Sequence, residues 1–354
     1  MSHFELGEKA MSRKLLVVRA IAVSAAVTAC AEPDGTVGTA DTSSGDTSTG
    51  GWQQPITPWG EPDIQGTWPI SHLIGTPLQR PAEYGERRLM TDEEFEQTLA
   101  RVEERNTRYD EEQASNKMGG GHWAEPTEAL RLTSLIVDPP NGRLPELTAL
   151  GKELAPKMGS DWNRTVFDTV NDFDSWNRCI SRGMPVTMLP RNYNNGILIK
   201  QTPGYVVITT EMVHEARIIP TTPRAPLDPA IKQWLGEPRG RWEGNVLVVE
   251  STNFNGLFGM TNFGVPGSPR DPTPTTVNLK ITERFERVSE DAMNYSVRIE
   301  DPAVIVQPWT IEYPMQLDND YQIFEYACHE DNTSVRNYIV TSRYERAQQA
   351  AGDR

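Results

Sequence analysis

The stretch "TTEMVHEARIIP", Thr209–Pro220, places Glu211, His214, Glu215 and Arg217 within seven positions. A histidine close to a carboxylate is the usual device for moving protons near neutral pH, and the same residue types ligate metals. The spacing alone does not unite them. On a helix, Glu211 and His214 would share a face, but this segment is rich in β-branched residues and reads as a strand, where side chains alternate. With that alternation unbroken, His214 belongs to the apolar row of Val206, Ile208, Thr210, Met212, Ala216 and Ile218. Glu211, Glu215 and Arg217 fall on the opposite row, so a local metal site is disfavoured. The second histidine of an H-E-x-x-H motif is also missing. A second ionisable residue falls in an apolar row further on. In "VNLKITERFERV", Glu283 shares a face with Val277, Leu279, Ile281 and Phe285. A carboxylate there is costly unless it is paired or hydrogen-bonded. The expectation is that His214 and Glu283 converge in the interior as a catalytic acid–base pair. The competing expectations are a hydrogen-bonded core histidine and a glutamate paired with a structural arginine.

The interior rows supply a binding surface to go with this pair. Trp309, Ile311, Tyr313 and Met315 line one face of "WTIEYPM". Trp309 and Tyr313 are expected to hold a small apolar or aromatic molecule, with Asn194, Asn195 and Arg217 engaging its polar groups. Isomerisation, hydration, dehydration and hydrolysis need only such positioned groups. The alternatives are a lipocalin-like carrier of a hydrophobic ligand without catalysis, and a metal site using His214 and His329 from "YACHEDN". His72 and His122 lie in loop-like sequence; His122 in "GGGHWAEP" reads as a loop residue. No G-x-S-x-G, P-loop or Rossmann glycine pattern is present, and no cofactor is expected.

Positioning these groups falls to strands. From Ile197 onward, runs at Ile197–Gln201, Val206–Val213, Glu215–Ile219, Val246–Glu250, Val277–Val288, Met293–Ile299, Trp309–Met315 and Gln322–Cys328 alternate with turn signals. The fold class is mainly β: an antiparallel meander of about eight strands closing into a lipocalin-like barrel or a sandwich over residues 191–345. Residues 52–190 read as a wrapping segment with a few helices. One of these starts at Thr91, with Glu94 completing a capping box and a narrow apolar stripe of Phe95, Leu99 and Val102. Another starts at Thr148. A short buried strand spans Ser134 to Val137.

The beginning of the chain speaks to compartment. Met11, Arg13 and Lys14 precede a short apolar run that ends in "VTAC" at Cys30. That is the pattern of a signal peptide with a lipobox over residues 1–30, the start of the chain being either Met1 or Met11. Cys30 is then the lipidated residue, the alternative being an ordinarily cleaved secretory signal. Ala31, in place of an aspartate, points to the outer membrane. Residues 31–51 are small and polar and read as a flexible tether. Roughly 300 residues remain, enough for one large core or two small ones. A net charge of −15 without a basic stripe disfavours nucleic acid as a partner. The expected partners are a small molecule and, through Cys30, a membrane. Setting Cys30 aside leaves Cys179 and Cys328 of the three cysteines. In an oxidising compartment they are expected to pair as a disulfide, the alternative being two separate buried thiols.

The motifs "LTSLIVDPPNGRLP", "CISRGMP", "YNNGILIKQTPGYVVI", "EMVHEARIIP", "RGRWEGNVLVVESTNF", "ITERFERV", "DPAVIVQPWTIEYPM" and "FEYACHE", in this order, resemble a widespread group of secreted bacterial proteins. The resemblance spans about two-thirds of the chain after the signal, Arg131 to Glu330, and implies no activity. It implies that Asn194, Asn195, Glu211, His214, Arg217, Glu283, Trp309, Cys328, His329 and Glu330 sit in shared motifs. One departure is visible. Relatives often carry a histidine shortly after the "ARIIP" segment, where this chain has Arg224 and Ala225.

Overall fold

Alternation of apolar residues builds the sheets that the sequence indicates. The computed structural model describes residues 52–115, 119–158, 164–260, 264–269, 272–330 and 332–352. The signal, Cys30 and the tether lie outside them. The chain is mainly β with antiparallel sheets and few helices. One sheet takes β1 (Gly66–Thr67), β3 (Ile197–Thr202), β4 (Tyr205–Thr210) and β5 (Ala216–Pro220), in that order. The larger sheet runs β2 (Ile136–Asp138), β12 (Trp309–Gln316), β11 (Ala292–Glu300), β10 (Lys280–Arg287), β7 (Val246–Thr252) and β6 (Glu237–Glu243). A ribbon of β8 (Gly259–Met260) and β9 (Thr273–Pro274) stands apart. β1 and β2 come from the segment read as a wrapping, so that segment also supplies an edge strand to each main sheet.

The inward rows of β10, β11 and β12 are as the alternation dictates. Ile281, Glu283, Phe285, Tyr295, Val297, Ile299, Trp309, Ile311, Tyr313 and Met315 are all buried. They join Ile197, Ile199, Val206 and Ile208 of the smaller sheet and Trp68 in one core. Burying each large apolar side chain contributes roughly 1.5–3 kcal/mol. Trp309 and Tyr313 are therefore core residues, and they line neither of the clefts described below. Tyr313 donates its hydroxyl to the Met188 carbonyl.

Three expectations need correcting. Gln322–Cys328 forms no strand; it runs as an arm after β12. β6 was hidden in "EPRGRWE", whose glycine, proline and charges mask a half-exposed strand. Most consequential, the strand through His214 is broken. β4 ends at Thr210, and Val213 and His214 adopt left-handed backbone at φ 63° and 45°. The chain reverses there, and β5 returns antiparallel with Thr209 opposite Ala216. The turn shifts the phase of alternation by one, which exchanges the two faces of the returning strand. Arg217 and Ile219 now point inward, while Ile218 is 61% exposed.

Arg217 therefore meets Glu283 across the two sheets. Its Nη1 donates to Glu283 Oε1 at 2.9 Å, and Nη2 closes a second bond to Oε2. Ser251 and the Tyr295 hydroxyl, 3.0 Å from Oε1, complete the cluster. Burial alone would push the Arg217 guanidinium down; the Glu283 carboxylate outweighs it and holds it above its ordinary value. Burial, and then the same carboxylate, push the Tyr295 phenol well up.

The helices are peripheral. α1 (Asp92–Ala114) has the anticipated Thr91–Glu94 capping box, and Thr98 is its one buried residue. α2 (Ala149–Leu154) is capped by Thr148. α3 (Ser334–Gly352) follows the arm and was not indicated by the sequence pattern. Among the described residues no helix is long and apolar enough to cross a membrane.

Removing one member of the buried pair strands the other charge. Arg217→Met or Glu283→Leu alone should lower stability by about 3–5 kcal/mol in urea titration, whereas the double variant should recover most of that loss. Strictly additive losses would show that the two groups do not interact.

Candidate functional site

The arm that follows β12 is tied down at several points. Asp318 N donates to the Thr67 carbonyl at 2.9 Å. Further on, Cys328 is disulfide-bonded to Cys179, with a Cα–Cα distance of 5.6 Å. The pairing expected from the cysteine count is thus present, and the closed loop spans 149 residues. By loop-closure entropy such a link restricts the unfolded chain by about 5 kcal/mol.

Between these ties the arm meets Glu211, the first residue of the β4–β5 turn. Glu211 is 2% exposed and accepts four hydrogen bonds. The donors are Asn194 Nδ2 at 3.0 Å, Gly196 N at 3.1 Å, the Tyr321 hydroxyl at 2.7 Å and Phe324 N at 3.0 Å. This carboxylate knots the hairpin, the loop before β3 and the arm together. Asn194 reaches it from left-handed backbone at φ 54°, a conformation asparagine tolerates.

Tyr321 touches a second carboxylate. Its hydroxyl lies 3.2 Å from Glu125 Oε1. Asn195 holds Glu125 from the other side, with N at 3.3 Å from Oε1 and Nδ2 at 2.9 Å from Oε2. Asn195 is itself fixed, accepting from Arg191 N at 2.6 Å and donating to the Arg191 carbonyl at 2.7 Å. Burial pushes the Glu125 carboxyl above its usual range. The bonds from Asn195 and Tyr321 oppose that push, and the nearby Glu211 charge adds to it. Burial and the two flanking carboxylates raise the Tyr321 phenol, so it keeps its proton. One phenolic hydrogen cannot serve two carboxylates at once. With that hydrogen on the nearer Glu211, the phenol oxygen faces Glu125 as an acceptor, and a protonated Glu125 can donate to it.

Glu125 and Tyr321 line a surface cleft of about 580 Å3 with His72, Glu128 and Asp318 among the other walls. His72 is buried with Nε2 3.0 Å from the Pro314 carbonyl. Desolvation lowers its pKa, so the ring is neutral at physiological pH. A second cleft, of about 370 Å3, lies beside the disulfide and is lined by Trp176, Asn194, Tyr326 and Asn332 among others.

The expected acid–base pair is not assembled. Glu283 is engaged by Arg217 and Tyr295 inside the core. His214 is exposed on the turn, with Nδ1 3.0 Å from the Tyr326 carbonyl. The phase change at the turn is the reason: it turns His214 out and Arg217 in. His329 is also exposed. Among the described residues no three His, Cys, Asp or Glu side chains, His214 and His329 included, gather in a way that could hold a metal. Of the residues assigned to ligand binding, Asn194 and Asn195 reach the two-carboxylate cluster; Arg217, Trp309 and Tyr313 do not. Glu125 and Tyr321 were missed. Glu125 stands in "GGGHWAEP", which has loop composition, and Tyr321 follows the turn "LDND"; neither carries a periodic signal.

No known protein family matches the chain, and no curated protein or solved structure matches it at a significant level.

The raised Glu125 carboxyl has a stability consequence. Its contribution is fully present below the ordinary glutamate pKa, about 4.3, and is lost as pH rises through the higher folded-state value. Glu125→Gln removes that loss. The urea midpoint of the variant, relative to wild type, should therefore improve between pH 4 and pH 7. A pH-independent difference would show that Glu125 titrates alike in both states.

Proposed function

We propose that this is a lipid-anchored extracytoplasmic protein that admits a small polar molecule to the Glu125 cleft and transfers a proton there. Glu125 is the proton donor or acceptor facing the ligand. Tyr321 and Glu211 form the relay behind it, and Asn195 positions the carboxyl. The observation that carries this reading is a single phenol hydroxyl within hydrogen-bond reach of two carboxylates, one of which opens onto a cleft of ligand size. Glu125, Glu128 and Asp318 make the walls acidic, so the favoured ligand carries an ammonium or several hydroxyls and no carboxylate of its own. Isomerisation and dehydration are reactions that such a site supports.

The site belongs in a surface cleft and not between the sheets. Trp68, Trp309, Tyr295, Tyr313, Phe254 and Phe285 fill the core and are fully buried. We read the two sheets as the faces of a sandwich. They share that core, and the Arg217–Glu283 pair spans them. The disulfide supports an oxidising compartment, and the lipobox pattern ending at Cys30 supports the anchor.

Two measurements test this. The first incubates the purified protein in D2O with a panel of small amines, amino alcohols and polyols, read by thermal shift and NMR. Members that raise the melting temperature should show exchange or conversion, slowed on the order of 10²-fold or more in Glu125→Gln while binding is retained. Conversion at the wild-type rate in that variant, or no panel member binding at all, would overturn the proposal. The second expresses the full chain in a double-membraned bacterium with labelled palmitate. The label should enter the membrane-associated protein and be lost in Cys30→Ala, which should be recovered in the soluble fraction. An unlabelled wild-type protein would remove the anchor.

A further inference from the structure

Arg182 and Arg191 are buried behind the cluster just described, at 7% and 5% exposed. Neither has a carboxylate within ion-pair distance among the described residues. Arg191 places Nη2 3.4 Å from the Val186 carbonyl, while its Nε and Nη1 have no hydrogen-bond partner. Arg182 directs Nε at the Met212 sulfur and lies 4.1 Å over the Trp176 ring. The nearby carboxylates are occupied elsewhere. Asp174 caps Asn177 N at 2.8 Å, Glu215 takes the Thr187 hydroxyl at 2.6 Å, and Glu211 serves the arm. Burial, and then the Arg182 charge, weigh on Arg191. Burial pushes Arg182 down to about 10, which still leaves it cationic at neutral pH.

Asp174 and Glu215 act on these two buried guanidinium groups only at a distance, without direct contact, and that is an expensive arrangement. An unpaired buried charge is strongly destabilising, and arginine does not escape by losing its proton. Both side chains line one small void of about 10 Å3, together with Thr187, Asn195 and Met212 among others. That is room for one water-sized occupant. Gly264, at φ +80°, closes over Arg191 so tightly that any β-carbon there would collide with Nη1. A polyatomic anion such as sulfate or phosphate is far too large for the void, and among anions only a monatomic one approaches its size.

We propose that the void between Arg182 and Arg191 is a structural halide site, occupied by chloride. The anion supplies the missing countercharge and accepts the free Arg191 N–H groups. It fixes the loop whose Asn195 holds Glu125, on the side away from the cleft. The site stands independently of the proton-transfer reading, because neither arginine lines the Glu125 cleft.

The test uses the full chain. Thermal midpoints are measured in sodium chloride, bromide, gluconate and sulfate at matched ionic strength, and crystals grown in bromide are examined for anomalous scattering. Chloride and bromide should raise the midpoint by about 2–4 °C per tenfold in concentration above the dissociation constant, and gluconate and sulfate should not. A bromide peak should lie between the two guanidinium groups. Arg191→Met should abolish the halide dependence. Superimposable halide and gluconate curves, halide dependence that persists in Arg191→Met, or no bromide peak would each overturn the proposal. Should Arg191→Met fail to fold, the wild-type bromide map decides the matter alone.

Discussion

The turn between Thr210 and Ala216 is the constraint on which the rest depends. Two consecutive non-glycine residues, Val213 and His214, hold left-handed backbone there. For a β-branched residue this is a costly conformation, on the order of 1–2 kcal/mol. What offsets it is the set of bonds that the turn makes possible. Thr210 N reaches the Glu215 carbonyl at 2.9 Å, and Glu211 N reaches Gly196 O at 2.8 Å. The same turn aims Glu211 at the arm and sends Arg217 into the core. A hairpin one residue longer or shorter would put a guanidinium into water and Ile218 into the interior, and would leave Glu283 without its partner.

Charge is distributed in two ways in this acidic chain. On the outer face of the large sheet, Arg241, Arg284 and Lys280 form exposed ion pairs with Glu243 and Glu250, which contribute little individually. Inside, arginines serve as structural elements. Arg217 is neutralised bidentately by Glu283, whereas Arg182 and Arg191 rely on a sulfur, an indole face and one backbone carbonyl. The carboxylates of buried Glu211 and half-buried Glu125 are likewise held without an ion pair, by asparagine, tyrosine and backbone donors. Cationic and anionic groups are thus buried close together without neutralising one another directly, and Asn195 sits between them.

How far the sequence foretold this follows from which signals are local. Alternation in β10, β11 and β12 placed Glu283, Tyr295 and Trp309 inward correctly, because those strands are unbroken and half-buried. The Thr91 capping box and the cysteine pair were legible for the same reason: each is a short-range or arithmetic signal. The phase after His214 was not legible. Nothing in "MVHEAR" announces left-handed backbone, since valine and histidine are poor markers of it. From that one hidden turn came the error over His214 and Glu283. Glu125 and Tyr321 were illegible for another reason. They lie 196 positions apart in irregular segments, and only tertiary packing brings them together.

The disulfide carries a consequence for the order of assembly. Cys179 leaves the ribosome 149 residues ahead of Cys328, and by then β3 to β12 separate the two in the chain. Tyr321 lies inside that span, a few residues before the second sulfur. The bond can therefore close only after every strand from β3 to β12 has been made, and it then encloses all of them, with Tyr321, in one covalent loop.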